Sequence, residues 1–413
     1  KNQVLTEMYL DLVGDYLMEA LYLPSVAGYS FSMGSSDSGF TCALQGYSQN
    51  VENVLEEALN IVSQSPFSET RFESIKEETL RGYENFFQGQ PYEQASHYMA
   101  LATNQGLFGI PELKEALQTT SLQQVKEFVP ELLSSQWSLE TLVHGNMREE
   151  EAKRLAAKFR QILQGGNSNA TVSTPMQQKY QLDLGMGNSF VIPIQLTNPE
   201  EVNSATVVKI QLGSRGELST KELSIASLIG SMIQEPAFDD LRTKQQLGYI
   251  VSAGVGVSRN VFTLSALVQG AQHSAEYYDS QIDAFLRKFE KELAQMSDTE
   301  IDAFKSSLES ALLRKDLTLM ERGVRYWDPI GKQLYNFSWN IDRIKALREV
   351  TRDDILKFYK EKVTNPASRR RVSVRMESQA EKNRQVQLVN PAVPAKIVDD
   401  VASLAKTLAP FEA

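Results

Sequence analysis

The chain has 413 residues, more than one hydrophobic core supports, so two or more domains of about 100 to 200 residues are expected. Its 42% hydrophobic and 23% charged residues, with 23 Gly and 14 Pro scattered along it, exclude a largely disordered chain. A formal net charge of −10 argues against a nucleic-acid partner, the lack of any apolar run of roughly 18 residues argues against a spanning helix, and the single Cys42 rules out an internal disulfide or a cysteine-based zinc site.

In chain order, the run Lys1 to Leu23 reads as an amphipathic helix, with Leu5, Met8, Leu12, Tyr16 and Ala20 at helical spacing. Ala27-Gly28-Tyr29 leads into a hairpin with strands near Tyr29 to Met33 and Phe40 to Tyr47, followed by a helix from Val51. Pro66-Phe67-Ser68-Glu69 opens another helix, Ser121 to Phe128 a third, and Leu139 to His144 reads as a closing strand.

After a Gly-, Asn-, Ser- and Thr-rich join near Gly165 to Gln178, the order recurs. Strands near Ser189 to Gln195 and Thr206 to Leu212 precede a helix from Thr220. Leu247-Gly248-Tyr249 then opens a hairpin with strands near Tyr249 to Val257 and Val261 to Gln269. Next comes a helix from about Tyr278 with an Ile282, Phe285, Phe289, Leu293 and Met296 stripe. Gln295-Met296-Ser297-Asp298 opens another helix, Thr351 to Phe358 answers Ser121 to Phe128, and Arg371 to Arg375 closes on a strand. Capping boxes are expected at Ser219 with Glu222, Ser297 with Glu300 and Ser121 with Gln124.

This order is a duplication of one α+β unit, an antiparallel sheet with helices packed on one face. The expected domains are 1–165 and 179–391, with a linker at 166–178 and a C-terminal tail at 392–413. The second copy begins with two strands that the first lacks. Those strands are expected upstream of Lys1, which leaves the first sheet incomplete and makes the chain part of something longer.

Chemistry is sparse. The three histidines are His97, His144 and His273, and no H-x-x-E-H or H-E-x-x-H occurs. His273-Ser274-Ala275-Glu276-Tyr277 approaches an inverted zincin motif but ends on Tyr, and reads better as a strand-to-helix turn with Glu276 in the first helical turn. His144-Gly145-Asn146 reads as a turn and His97 as a helical structural residue. No metal site is expected in this chain. Asn169-Ala170-Thr171 and Asn336-Phe337-Ser338 fit glycosylation acceptors, relevant only in a secreted protein. The lack of disulfides favours a cytoplasmic location and is compatible with others.

One segment remains, Phe238-Asp239-Asp240-Leu241-Arg242-Thr243-Lys244-Gln245-Gln246-Leu247-Gly248-Tyr249, joining a helix to the second hairpin. A tyrosine hydroxyl can donate to a developing oxyanion and an arginine can orient a carbonyl. The structural alternative is an Arg paired with a carboxylate and a half-buried Tyr.

This segment resembles the pitrilysin or insulin-degrading enzyme (insulysin) family, as do Ala27-Gly28-Tyr29 to Gly46-Tyr47-Ser48, His144-Gly145-Asn146, Arg325-Tyr326-Trp327, Tyr335-Asn336-Phe337 and Ile355 to Lys360, in the family's order. The resemblance implies four homologous domains enclosing a chamber, of which this chain corresponds to the third and fourth. It implies catalytic assistance from Tyr249, as donor to the tetrahedral oxyanion, and from Arg242, on the substrate carbonyl. Zinc is implied only in the complete enzyme, in an N-terminal half bearing H-x-x-E-H and a downstream Glu. The partners implied are that half, short unfolded peptides and, as an option, further copies of the chain. Lys315-Asp316-Leu317-Thr318 departs from the more basic run of the animal enzymes. The other class of function compatible with the fold is a noncatalytic core subunit, which would need no Arg and Tyr pair.

Overall fold

A computed structural model describes residues 1–36, 39–64, 66–134, 139–164, 179–380 and 395–411. The join at 166–178, the sequon at Asn169 and the tail prolines Pro391 and Pro394 lie outside them. Two compact units result. One comprises residues 1–84, 110–178 and 316–336, the other residues 85–109, 179–315 and 337–413.

The first unit holds α1 (Asn2–Ala20), α2 (Tyr22–Val26), β1 (Ser30–Ser36), β2 (Gly39–Gln45), α3 (Val51–Gln64) and most of α4 (Glu69–Phe86). After α5 (Pro91–Thr103), which belongs to the second unit, it continues with α6 (Ile110–Gln118), α7 (Leu122–Ser134) and α8 (Glu149–Gln164). The α1 stripe is buried at Val4, Leu5, Met8, Tyr9, Leu12 and Val13, against Val54, Ala58 and Val62 of α3 and Val125 and Val129 of α7. At the helix's centre the Tyr9 hydroxyl donates to the Val62 carbonyl at 2.8 Å. The expected closing strand at Leu139 to His144 does not form. Among the described residues the only strands of this unit are β1 and β2, which pair with each other, and residues 139–144 join neither.

The second unit is built on β3 (Ser189–Gln195), β4 (Ser204–Ser214), α9 (Thr220–Ala237), a π-helical turn at Phe238–Lys244, β5 (Ile250–Ser258), β6 (Val261–Gly270) and α10 (Ala275–Gln295). It continues with α11 (Asp298–Leu312) and, beyond α12 (Leu319–Gly331) of the first unit, α13 (Trp339–Arg348) and α14 (Arg352–Tyr359). A second π turn, Lys360–Thr364, precedes β7 (Arg370–Glu377), β8 (Lys396–Ile397) and α15 (Val401–Thr407). The Ser219, Ser297 and Ser121 capping boxes all form, and Thr351 with Asp354 makes a fourth. Among the described residues no helix is long and apolar enough to cross a membrane.

The α+β class stands, with two corrections to the sheet. Its order is β5-β6-β4-β7-β3-β8, and β3 runs parallel to both β7 and β8, so it is mixed where antiparallel pairing was expected. Helices also cover both faces, not one. Val208, Ile210 and Leu212 of β4 pack with α9 and α10, while Ala205 and Val207 pack with Ala95, Met99 and Ala102 of α5 and Leu404 of α15. Although buried on both sides, β4 carries polar side chains, and they find partners: the Thr206 hydroxyl donates to the Ala275 carbonyl at 2.6 Å and the Gln211 amide to the Leu182 carbonyl at 2.8 Å.

Where α10 crosses β7 the core is ionic. Asp279, fully buried, pairs with Arg371 and, at 2.8 Å, with Arg375, while Asp283 pairs with Arg369 at 2.8 Å and with Arg287. Burial alone would raise the Asp279 pKa, but Arg371 and Arg375 outweigh it and hold the carboxyl below the usual carboxylate range.

The two hairpins have one register. Ser30 faces Gln45 in the first and Ile250 faces Gln269 in the second, each pair preceded by Gly-Tyr and followed by Gly. In the second, backbone meets backbone: a Cβ on Gly248 would lie 1.9 Å from the Gln269 carbonyl oxygen, and one on Gly270 would lie 2.1 Å from that of Leu247.

Two stability outcomes follow. Asp279→Ala leaves buried Arg371 with only the more distant Asp283, at 4.0 Å, for a counter-charge and should cost about 3 to 5 kcal/mol in urea unfolding. Because the folded pKa is depressed, Asp279 stabilises above the unfolded Asp value of about 3.9 and that support fades as pH falls through the lower folded value, so the mutant should be less acid-sensitive than the parent. Gly248→Ala should cost about 1 to 3 kcal/mol as overpacking, whereas Gly256→Ala, with open space at its Cβ, should leave the urea midpoint within error.

Candidate active site

The turn that carries Arg242 and Tyr249 begins where α9 ends. Pro236, inside the last turn of α9, has no amide hydrogen to donate, and the helix widens into the π turn two residues later. Such widening needs support from outside the helix, and Asp240 receives it. Only 8% exposed, its carboxylate pairs with Lys288 of α10 and accepts from the Gln245 side chain at 2.9 Å, and its carbonyl accepts from the Gln245 amide at 3.0 Å. Leu241 and Leu247 sink into the core, and the Leu247 amide donates to the Leu241 carbonyl at 3.0 Å. Gln246 takes a left-handed φ of 54°, reversing the chain before Gly248 locks against Gln269.

On this fixed turn the two candidate side chains face outward. Arg242 lies over the Phe238 ring with its guanidinium carbon 4.6 Å from the centroid, and Tyr249 is 87% exposed. The expected alternative, an Arg paired with a carboxylate, falls instead to its neighbour: Lys244 pairs with Asp239 at 2.6 Å. A half-buried Tyr is likewise not what is found. An exposed tyrosine hydroxyl and a guanidinium seated over an aromatic ring can each donate hydrogen bonds to a carbonyl or oxyanion brought from outside.

The contrast with the first hairpin explains the exposure. There the space over Gly46 is filled by the ring of Tyr29, 2.2 Å from where a Cβ would stand, and Tyr29 packs edge-on against Tyr47. In the second hairpin the Leu247 carbonyl and the Tyr278 hydroxyl take the space over Gly270, so Tyr249 has nowhere to fold down.

The other candidates stay apart from this turn. The His97 ring is wedged edge-on against Phe86 and Tyr98, and burial lowers its pKa. His273 stacks on Tyr277 at 4.3 Å, and burial lowers its pKa too; its Nδ1 is buried without a partner. His144 sits edge-on against Tyr326. Burial pushes the Cys42 thiol up to about 11, which suits it poorly to nucleophilic work. Among the described residues no three His, Cys, Asp or Glu side chains are arranged to hold a metal ion. Sequence reasoning missed the Asp240–Lys288 tie, which spans two helices and leaves no local signal. It also missed the aromatic seat that Phe238 gives Arg242, for which the four-residue spacing was available.

A family profile described as the middle or third domain of peptidase M16 matches residues 1–116, and one described as the PqqF-like C-terminal lobe domain 4 of PQQ synthase matches residues 228–327. Human insulin-degrading enzyme is 30% identical over 369 residues, covering 89% of this chain and 36% of its own length. A putative zinc protease of Schizosaccharomyces pombe, mug138, is 28% identical over 87% of this chain and 36% of its own. The chain thus spans little more than a third of these relatives. Among solved structures, pitrilysin superposes over 100% of this chain and 42% of its own with a TM-score of 0.83 at 19% identity. A peptidase M16 inactive domain from Pseudomonas fluorescens superposes over 90% of this chain and 88% of its own with a TM-score of 0.61 at 16% identity. The chain belongs to the peptidase M16 family, the pitrilysin and insulin-degrading enzyme relatives, and corresponds to the C-terminal half of its members.

Proposed function

We propose that this chain is the half of a zinc endopeptidase that binds no metal itself, supplying a substrate-binding wall and transition-state hydrogen bonds for the cleavage of short, unfolded peptides in an enclosed chamber. The observation that carries the reading is Tyr249, a tyrosine left exposed on a turn that the rest of the fold works to immobilise. In this reading the Tyr249 hydroxyl donates to the oxygen that becomes anionic at the scissile carbonyl. Arg242, seated on Phe238, orients that carbonyl or the tyrosine. A preorganised donor acts at no reorganisation cost, which is why immobility matters more than proximity to other catalytic groups in the free chain. Zinc, when bound by a partner half bearing H-x-x-E-H, would supply the activated water. The proposed division is two pitrilysin-type domains, 1–165 and 179–391, joined by 166–178 and followed by the tail 392–413, of which β8 and α15 pack into the second unit.

A noncatalytic core subunit is the second reading, favoured by the fold likeness to the inactive domain. Complementation separates the two. The chain alone, even with zinc, should cleave nothing, and adding a zinc-bearing half should restore peptide hydrolysis. In that assembly Tyr249→Phe should lower turnover by about 10² or more, as loss of an oxyanion donor does. Turnover equal to the parent's would remove Tyr249 from catalysis, and no rescue by any zinc-bearing half would favour the core-subunit reading.

A further inference from the structure

The shared hairpin register lets positions in the two units be compared. Counting back from Gly28-Tyr29 and Gly248-Tyr249 sets Met18 at the place of Phe238, Tyr22 at that of Arg242 and Leu23 at that of Thr243. The second unit presents an arginine on an aromatic ring there. The first presents an apolar surface: Met18 and Leu23 are 76% and 75% exposed, and Tyr22, Val26 and Tyr47 are exposed beside them in sequence and hairpin. Met18 and Tyr22 line one depression, and Leu23, Val26 and Tyr47 are left in water on the turn and hairpin that follow, an apolar exposure that a fold does not need for its own stability.

The charge around it is negative. Asp15 and Glu19 share one cation, Arg71, in a depression that Met18 and Tyr22 also line. The last turn of α1 contains no basic residue to add to Arg71. A second depression, at Ala20, is bordered by Glu56 and Glu57, of which Glu56 pairs with Lys158. Tyr22 and Tyr47 add ring faces that attract cations.

We propose that this end of the first unit is a docking patch for peptide segments in which Lys or Arg alternates with aliphatic or aromatic residues. It is the duplicated counterpart of the Arg242 and Tyr249 turn, turned from reaction to capture. Apolar side chains of the peptide cover Met18, Tyr22, Leu23 and Val26, and its cations meet the carboxylates of Asp15 and Glu19. The proposal rests on the hydrolytic reading only for the choice of a peptide as occupant.

The test uses the full chain and a fluorescent peptide of alternating Lys and Leu, followed by anisotropy, with a matched peptide carrying Glu for Lys. The Lys peptide should bind and the Glu peptide should not, and binding should weaken as salt shortens the Debye length from about 10 to about 3 Å. Combined Tyr22→Ser and Leu23→Ser should weaken binding about tenfold, as truncation of anchoring side chains does, with an unchanged melting temperature because both are exposed. Glu19→Gln, which keeps the apolar surface, should weaken it by a few fold. No binding, equal binding of the Glu peptide, or unchanged affinity in both variants overturns the proposal. So does self-association of the chain that the double variant abolishes, since the patch would then seat a second copy. The assay needs neither zinc nor a partner half, so its failure leaves the hydrolytic reading standing, and the loss of that reading leaves this result intact.

Discussion

The approach of the Gly248 backbone to the Gln269 carbonyl governs what the second unit can present. No side chain fits between them, so the chain leaving the π turn is pinned directly to the penultimate residue of β6. The reciprocal contact of Gly270 with the Leu247 carbonyl closes the hairpin base from the other side. A tyrosine placed immediately after such a junction inherits its fixed position. With the space over Gly270 already taken, it is forced outward. Burial of Leu241 and Leu247 and the Asp240–Lys288 pair secure the other end of the turn.

The duplication shows what happens when that constraint is relaxed. In the first hairpin Tyr29 lies down over Gly46, and the position answering Arg242 carries Tyr22. One backbone plan thus gives a hydrogen-bonding turn in one unit and an apolar surface in the other. The two hairpins share a register while their side chains differ, and function follows the side chains, as it does wherever a fold is reused.

Much of the fold was legible because its signals are local. Apolar spacing marked α1 and α10, serines three residues ahead of Glu or Gln marked helix starts, and Gly-Tyr pairs marked both hairpins. What failed was nonlocal. The parallel pairing of β3 with β7 and β8 joins residues far apart in sequence, and α5, which reads as part of the first repeat, packs on the second unit's sheet through Ala95 and Met99. Leu139 to His144 has the alternation of a strand, but a strand exists only once it pairs, and this segment pairs with neither β1 nor β2. At the site, the family was readable from sequence, and Arg242 and Tyr249 stood out there only as candidates. The reason the turn holds still was not readable, because Lys288 and Gln269 reach it through space.

The central claim is that Tyr249 acts on the transition state and not on the bound peptide. Its most direct test compares affinities in the assembly with a zinc-bearing half, using a tetrahedral phosphinic analogue of a substrate peptide and the uncleaved peptide itself under zinc-free conditions. The account predicts that Tyr249→Phe weakens the analogue by about the factor lost in kcat/KM while leaving the peptide's affinity unchanged. Equal loss for both ligands, or loss for neither, would contradict it.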